Sequence, residues 1–467
     1  MKFKLQLVIE DENGKTHLED IIDIDKTNQP GYCIGLSLLD SRELLKELQQ
    51  KIILNETYSY LQSKKTCSDC QHKRRVKSHE TFQYRTLFGT VVLPNLRLYN
   101  CGCDHEHGKT FSVLNDWLAD HTSPELQYIE AKWASHLSYN KSCELLKDIL
   151  PIHITHNAVT VHNHLQKIAE RQDGELVGKP TCLSGCENDW AELPKPDKPL
   201  TVGIDGGYVR QWRDKHKNFE VIVGKSYSKT KVPKRFGFVQ RFEERPQRRL
   251  LSVLTEQGLQ ANQQITFLSD GADNVRDLQY LMHPEAEHIL DWFHVTMRLT
   301  VLQQYTKGVI KNHPEEGKAL KKHFESTKWH LWHGNVTNAL DHLEDCCNLC
   351  DDDELTYHKK KDLIKHIEEL TTYIENNAHL IPNWGERWRY KEPISSSFVE
   401  STVNEVITKR MVKKQQMQWT LEGAHNLLQV RIATLNDDLA KNFERWYPGL
   451  KINDRIGGQE IPLKKAA

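Results

Sequence analysis

Leu200-Thr-Val-Gly-Ile-Asp-Gly-Gly207 is the stretch on which the reading of this chain turns. An apolar run too short for a helix meets an acid and then two glycines, which is the pattern of a buried strand ending in a turn. Ile265-Thr-Phe-Leu-Ser-Asp-Gly271 repeats it. Two apolar strands that each stop at Asp-Gly put Asp205 and Asp270 at strand ends, where open α/β sheets expose their ligand sites. Asp before Gly also suits a plain turn, which needs no chemistry.

Working outward, strands are expected at 200–205, 219–224 and 235–241, a helix at 246–258, a strand at 265–269 and a short β or α segment at 287–294. Three strands, a helix and a further strand ending in the second acid give the order of a ribonuclease-H-like α/β core, spanning 199–294 and 394–440. Residues 295–393 interrupt it. They carry helical patterning with Trp329, Trp332, Trp384 and Trp388, and are too long for a loop, so an all-helical insertion is expected. Ser395 to Arg410 reads as a closing basic helix with Glu400 near its start. Ser397-Phe-Val-Glu400 also matches a capping box, in which the glutamate bonds back to the cap amide.

A third carboxylate beside Asp205 and Asp270 would complete an all-oxygen site for hard cations, Mg2+ with Mn2+ possible. Two such ions a few Å apart support phosphodiester chemistry. Asp291-Trp-Phe-His294 could brace that site through His294, and a satisfied core histidine fits it equally well. On an ideal helix Asn404 and Lys414 fall within about 40° of Glu400. Lys409, Arg410, Lys413 and Lys414 read as a rim that tracks DNA phosphates, and Trp419 as a stacking or core aromatic.

The N-terminal half has a different character. Residues 1–62 read as a hairpin turning at Asn13-Gly14, then a helix from Leu38 to Gln62. In 63–120, Cys67-Ser-Asp-Cys70 and Cys101-Gly-Cys103 flank a strand-like stretch from Tyr84 to Leu98, as in a zinc ribbon. His105 and His107 are possible substitute ligands, and free thiols are the plainer reading. Ser123-Pro124 opens a helix in 121–172. A short helix from Ser138 to Leu150 and a third from Thr155 follow, a helix-turn-helix pattern that would turn Asn157 and Thr160 toward DNA, with a plain helical linker as the blander reading. Residues 173–198 read as a linker and 441–467 as a tail.

At 467 residues with mean hydropathy −0.65, the chain should be a soluble multidomain α+β protein. No run approaches the roughly 18–20 apolar residues of a membrane span, and no signal-peptide core is evident. Eleven cysteines, odd in number and clustered, point to a reducing cytoplasm and a metal site rather than a disulfide framework. Net charge is −1, yet Lys64–Lys77, Lys225–Arg249, Lys307–Lys328 and Lys409–Lys414 are basic clusters, offset by stretches such as Asp351-Asp-Asp-Glu354. Phosphate contacts need local rather than net charge, so the clusters beside the acids are expected to face DNA.

Val202-Gly-Ile-Asp-Gly-Gly-Tyr-Val209, Phe267-Leu-Ser-Asp-Gly-Ala272, Leu290-Asp-Trp-Phe-His294 and Val399-Glu-Ser-Thr-Val-Asn404 together resemble bacterial insertion-sequence transposases of the DDE class, most closely the IS-Kra group. The resemblance extends through Lys409 to Trp419, covers roughly residues 60–440 and leaves the first 30 unmatched. It implies Asp205, Asp270 and Glu400 as the metal-binding triad. Asp291-x-x-His294 is similar to the Cys/Asp-x-x-His signature of related enzymes with a helical insertion. The resemblance further implies that the cysteine and helix-turn-helix region binds the element's terminal repeats, that a homodimer or larger complex holds two DNA ends, and that the protein works at the bacterial nucleoid.

Overall fold

The computed structural model describes residues 1–10, 14–103, 109–152, 156–179, 192–194, 196, 198–214, 217–228, 231–351, 355–412 and 419–452, without the side chains of Ser397, Phe398 and Glu400. Asn13, His105, His107, Thr155, most of the expected linker, Asp352–Glu354, Lys413, Lys414, Gln415–Gln418 and residues 453–467 of the tail lie outside the described residues. The chain is mixed α+β and divides into two compact units, 1–168 with 437–467, and 169–436. Among the described residues no helix is long and apolar enough to cross a membrane.

In the first unit, β1 (Lys2–Glu10) and β2 (Thr16–Asp25) form the expected antiparallel hairpin. Helix α1 (Leu38–Lys64) is started by a capping box between Ser37 and Asp40. β3 (Val76–Thr86), β4 (Gly89–Tyr99) and β5 (Thr110–Ser112) make a three-stranded antiparallel sheet. The strand-like stretch from Tyr84 to Leu98 spans the turn of the β3–β4 hairpin, the hairpin expected to join the two cysteine pairs. Gly89 takes a positive φ of 122° and its carbonyl accepts the Thr86 hydroxyl, which closes the turn. Ile53 and Leu61 of α1 pack on Phe82, Leu93 and Leu98 of this sheet.

α2 (Val113–Trp117), α3 (Pro124–His136), α4 (Tyr139–Ile149) and α5 (Ala158–Leu176) follow. Ser123 and Ser138 cap α3 and α4 as their sequences imply. α5 starts three residues later than expected, and the division between the units falls within it. It also runs into the expected linker, where Asp173 pairs with Arg249.

The second unit is built on β6 (Leu200–Arg210), β7 (Asn218–Tyr227), β8 (Lys234–Val239), α6 (Pro246–Glu256), β9 (Ile265–Ser269), α7 (Asp273–Met282) and β10 (Glu287–Leu290). The sheet order is β10-β9-β6-β7-β8. β6–β7 and β7–β8 pair antiparallel, whereas β6–β9 and β9–β10 pair parallel. Leu250 and Leu254 of α6 and Val275, Leu278 and Met282 of α7 cover Val202, Ile204 and Phe267 on one face.

Between β10 and the closing segment, α8 (Trp292–Asn312), α9 (Pro314–Trp332), α10 (Val336–Asp351), α11 (Lys360–Asn376) and α12 (Trp384–Arg389) build a helical subdomain with its own core, from Leu302 and Phe324 to Leu343, Ile367 and Trp384. Cys346 and Cys350 belong to that core. α13 (Ser397–Val403) then widens into a π-helix over Asn404–Val412, and α14 (Leu421–Leu435) closes the unit. The chain returns to the first unit in α15 (Leu439–Trp446), where Phe443 meets Tyr128.

Candidate functional site

Asp205 does not end its strand. β6 runs on to Arg210 because its antiparallel partner β7 stays paired through Arg210↔Asn218, whereas its parallel partner β9 is paired only as far as Gly203↔Leu268. Asp205 thus stands where β6 loses one neighbour, and that one-sided opening takes the place of the expected strand end. Carrying the β6–β9 register two residues further sets Asp205 level with Asp270. β9 and β10 pair as Ser269↔Leu290, and the Asp291 amide donates to the Ser269 carbonyl at 2.8 Å, so Asp291 stands level with Asp270 on the other side. The register therefore brings the three acids level at the edge where three neighbouring parallel strands stop pairing.

The glycines report the facing of the site. A Cβ on Gly207 would come within 2.9 Å of Ile407 and 3.4 Å of Val403. Residues two apart on a strand share a face, so Asp205 is on the face against which α13 and its π extension pack. Gly271, just after Asp270, has φ +88°, and a side chain there would run into the Asn377 amide. Asp270 Oδ1 accepts from the Ala272 amide at 3.0 Å, and its carbonyl accepts the Tyr373 hydroxyl of α11 at 2.9 Å.

Asp205 is partly buried, and its Oδ1 accepts the Gly206 amide at 2.7 Å. Burial pushes its pKa above the usual carboxylate value. The Asp270 and Asp291 charges add to that push, against the Gly206 amide and His294. Asp291 is fully buried and fully bonded. Oδ1 caps α8 through the Phe293 amide at 2.8 Å and accepts the Ser396 amide at 3.0 Å, while Oδ2 accepts the Ser396 hydroxyl. His294 Nε2 lies 3.6 Å from Asp291 Oδ2. Asp291, expected with His294 to brace the metal site, holds the residue immediately before α13. The backbone of Glu400 is in α13; its side chain, and with it the expected capping box, lies outside what is described.

The basic rim needs correction. Arg410 is fully buried, with its guanidinium 5.4 Å from the centre of the Trp419 ring, so it is a core residue and not a phosphate contact. Trp419 is itself buried and donates to the Met411 carbonyl, which removes the stacking role. Lys409 is exposed. The π geometry from Asn404 onward makes the ideal-helix phase that aligned Asn404 and Lys414 with Glu400 inapplicable. Arg235 bonds to Glu405 and Arg249 to Asp173 and Glu243, so two cations of the Lys225–Arg249 cluster also face inward.

In the first unit the four cysteines converge: the ligand atoms of Cys67, Cys70, Cys101 and Cys103 all lie within 4.8 Å of one another, with Cys67 Sγ and Cys101 Sγ at 3.2 Å. This group could hold a structural metal such as zinc. The Cys70 and Asp69 amides, with the Cys101 thiol, hold the Cys67 pKa down at about 7. The Cys70 and Cys101 thiols push Cys103 up to about 12. A divalent cation is what allows four such neighbours to ionise together. Arg74 and Arg75 line a cleft of about 500 Å3 beside Cys70 and Cys101, and Lys73, Arg75 and Lys77 are exposed. Asn157 is exposed but occupied, since Oδ1 accepts the Val159 and Thr160 amides and caps α5. Thr160 is half-buried.

No protein-family model matches the chain, and no curated protein matches it.

Proposed function

We propose that the chain is a DNA transposase of the insertion-sequence type, with a ribonuclease-H-like core, a DDE site and a zinc-ribbon end-binding region. The observation that carries this reading is the register that sets Asp205 level with Asp270 beside the helix bearing Glu400. The strand order β10-β9-β6-β7-β8, antiparallel only at β7, supports the core assignment. So does the helical block between β10 and α13.

The residues suit magnesium. Two carboxylates level on adjacent strands, one with a pKa raised by burial and by its acidic neighbours, favour a hard cation over coexisting bare charges. Asp205 and Asp270 would hold the ions and Glu400 would complete the set. Bound magnesium, or manganese, would neutralise charge on the attacking and leaving oxygens. Asp291 fixes the entry of α13, and His294 Nε2 lies 3.6 Å from its Oδ2. Water attacks the phosphorus at the element end, forming one P–O bond as the bond to the 3′-oxygen breaks, which leaves a 3′-hydroxyl and a 5′-phosphate. That hydroxyl then attacks a target phosphorus and displaces the target strand's own 3′-oxygen as the leaving group. The protein's task is positioning, because little covalent chemistry falls to it. The cysteine hairpin, with its exposed Lys73, Arg75 and Lys77, would grip the element ends. Two ends must be held together, so a homodimer or larger assembly is expected.

The test is magnesium-dependent cutting of a labelled duplex carrying the source element's end, wild type against Asp270→Asn. Cutting by wild type alone is the expected result, and equal cutting by both would refute the triad. Joining of a pre-cut end separates a transposase from a ribonuclease-H-like nuclease without strand transfer. End binding with no cutting by either protein would leave a zinc-dependent regulator.

A further inference from the structure

His323 on α9 faces His342 and Asp345 on α10, far from the acids in sequence and on different elements. His323 Nδ1 and His342 Nδ1 are 3.1 Å apart. Asp345 Oδ2 lies 3.4 Å from the first and 3.7 Å from the second. These are the sides of a nearly regular triangle. Ligands about 2.0–2.2 Å from a tetrahedral zinc ion lie about 3.3–3.6 Å apart, so the triangle has roughly the dimensions of one face of such a site.

Two imidazoles that meet nitrogen to nitrogen can hydrogen-bond only if one is a donor and the other an acceptor. Two neutral imidazoles and a carboxylate, by contrast, all present lone pairs to one point when a cation occupies it. His342 and Asp345 are three apart on one helix, the spacing that turns both side chains to the same face. The three side chains are a quarter to a half exposed, which leaves the fourth position open to water. His330, two turns after His323 on α9, brings its ring to 5.3 Å from that of His342. Its Nδ1 is buried with no hydrogen-bond partner among the described residues, so a further nitrogen borders the site.

We propose that His323, His342 and Asp345 bind a first-row divalent metal ion, with zinc the best fit, and that this ion clips α9 to α10 within the helical subdomain. The site is separate from the cysteine group and from the DDE acids, and it does not depend on the DNA reading. Its ligands come from two successive helices, with His323 19 residues before His342, so an ion there joins helices that form one wall of the subdomain core.

The experiment is zinc titration of the full chain after stripping with a chelator. Wild type should take up two equivalents per chain, one at the cysteines and one here. The Cys67→Ser, Cys101→Ser double variant should retain one equivalent and, loaded with cobalt, should show ligand-field bands without thiolate charge transfer. Adding His342→Gln should abolish that equivalent. Asp345→Asn in the wild-type background changes a half-exposed side chain, spares the core, and should weaken the second equivalent by at least about tenfold. A second equivalent that survives both His342→Gln and Asp345→Asn would overturn the assignment. So would a wild-type chain whose only zinc is lost with the cysteines.

Discussion

Asp291→Ala offers the sharpest test of how the site is held. The carboxylate is fully buried and accepts three hydrogen bonds: the Phe293 amide, the Ser396 amide and the Ser396 hydroxyl. Losing the first removes the N-cap of α8, which costs about 1 kcal/mol. Ser396 is itself buried, so its amide and hydroxyl would be orphaned away from water at about 1–3 kcal/mol each. The sum is roughly 3–7 kcal/mol, a large share of the 5–15 kcal/mol typical of folded proteins. Asp291→Asn keeps one oxygen for the two amides and asks only the Ser396 hydroxyl to turn and accept, so about 1–2 kcal/mol is expected. Urea unfolding followed by tryptophan fluorescence reads the difference directly. Trp292 contacts Trp332 and Trp384 at ring distances of 5.1 and 4.7 Å, and it begins the helix that Asp291 caps. A cost below about 1 kcal/mol for the alanine variant, or equal costs for the two substitutions, would refute the clamp.

Two further outcomes follow from the same geometry. Asp205→Asn should raise the urea midpoint at neutral pH while abolishing cutting. The folded pKa of Asp205 is raised, so its ionised form is disfavoured in the fold; the penalty is present above that pKa and vanishes below the unfolded value of about 3.8. The gain from the substitution should therefore shrink as pH falls through the carboxylate range, and a gain that grew on acidification would contradict the burial argument. Gly271→Ala should cost about 1–2 kcal/mol for the left-handed backbone alone, and more for collision with Asn377. It should reduce cutting through Asp270 while end binding, measured by gel shift, stays unchanged; wild-type cutting would show that the turn does not position the acid.

Much of the fold was legible because local rules and tertiary packing agree. The Ser123-Pro and Ser138 caps, the first hairpin, the strands of the second unit and the helical block all follow from periodicity and end signals. Sequence missed what depends on neighbours. β6 continues past Asp205 because β7 is there to pair with it, and no pattern within 200–207 carries that information. Arg235, Arg249 and Arg410 look like solvent-facing cations in a basic run, yet the first two are turned inward by partners far away in the chain and the third is buried against Trp419. Asp291 was visible as an acid beside two aromatics, but its task came into view only once Ser396 was found against it. His323 and His342 gave no signal, since a metal pair split between two helices has no fixed spacing.

The helical subdomain does more than interrupt the core. Parallel strands end in carbonyls whose next partners must come from elsewhere. The Leu290 carbonyl at the end of β10 accepts the Trp384 indole at 3.1 Å, and the Asp270 carbonyl just beyond β9 accepts Tyr373. Burial raises the Tyr373 pKa, which keeps its hydroxyl a donor, and Arg298 lies over its ring at 4.3 Å. Arg387 of α12 pairs with Glu287 at the start of β10, and Asp291 joins α8 to Ser396. Each net hydrogen bond contributes only about 1 kcal/mol. Their common effect is geometric, because they fix the backbone segments that carry Asp270 and Asp291 and that lead into α13. Helices inserted between β10 and α13 thus supply the contacts that hold the segments bearing Asp270 and Asp291, so loosening α11 or α12 should disturb both acids even though neither helix carries them.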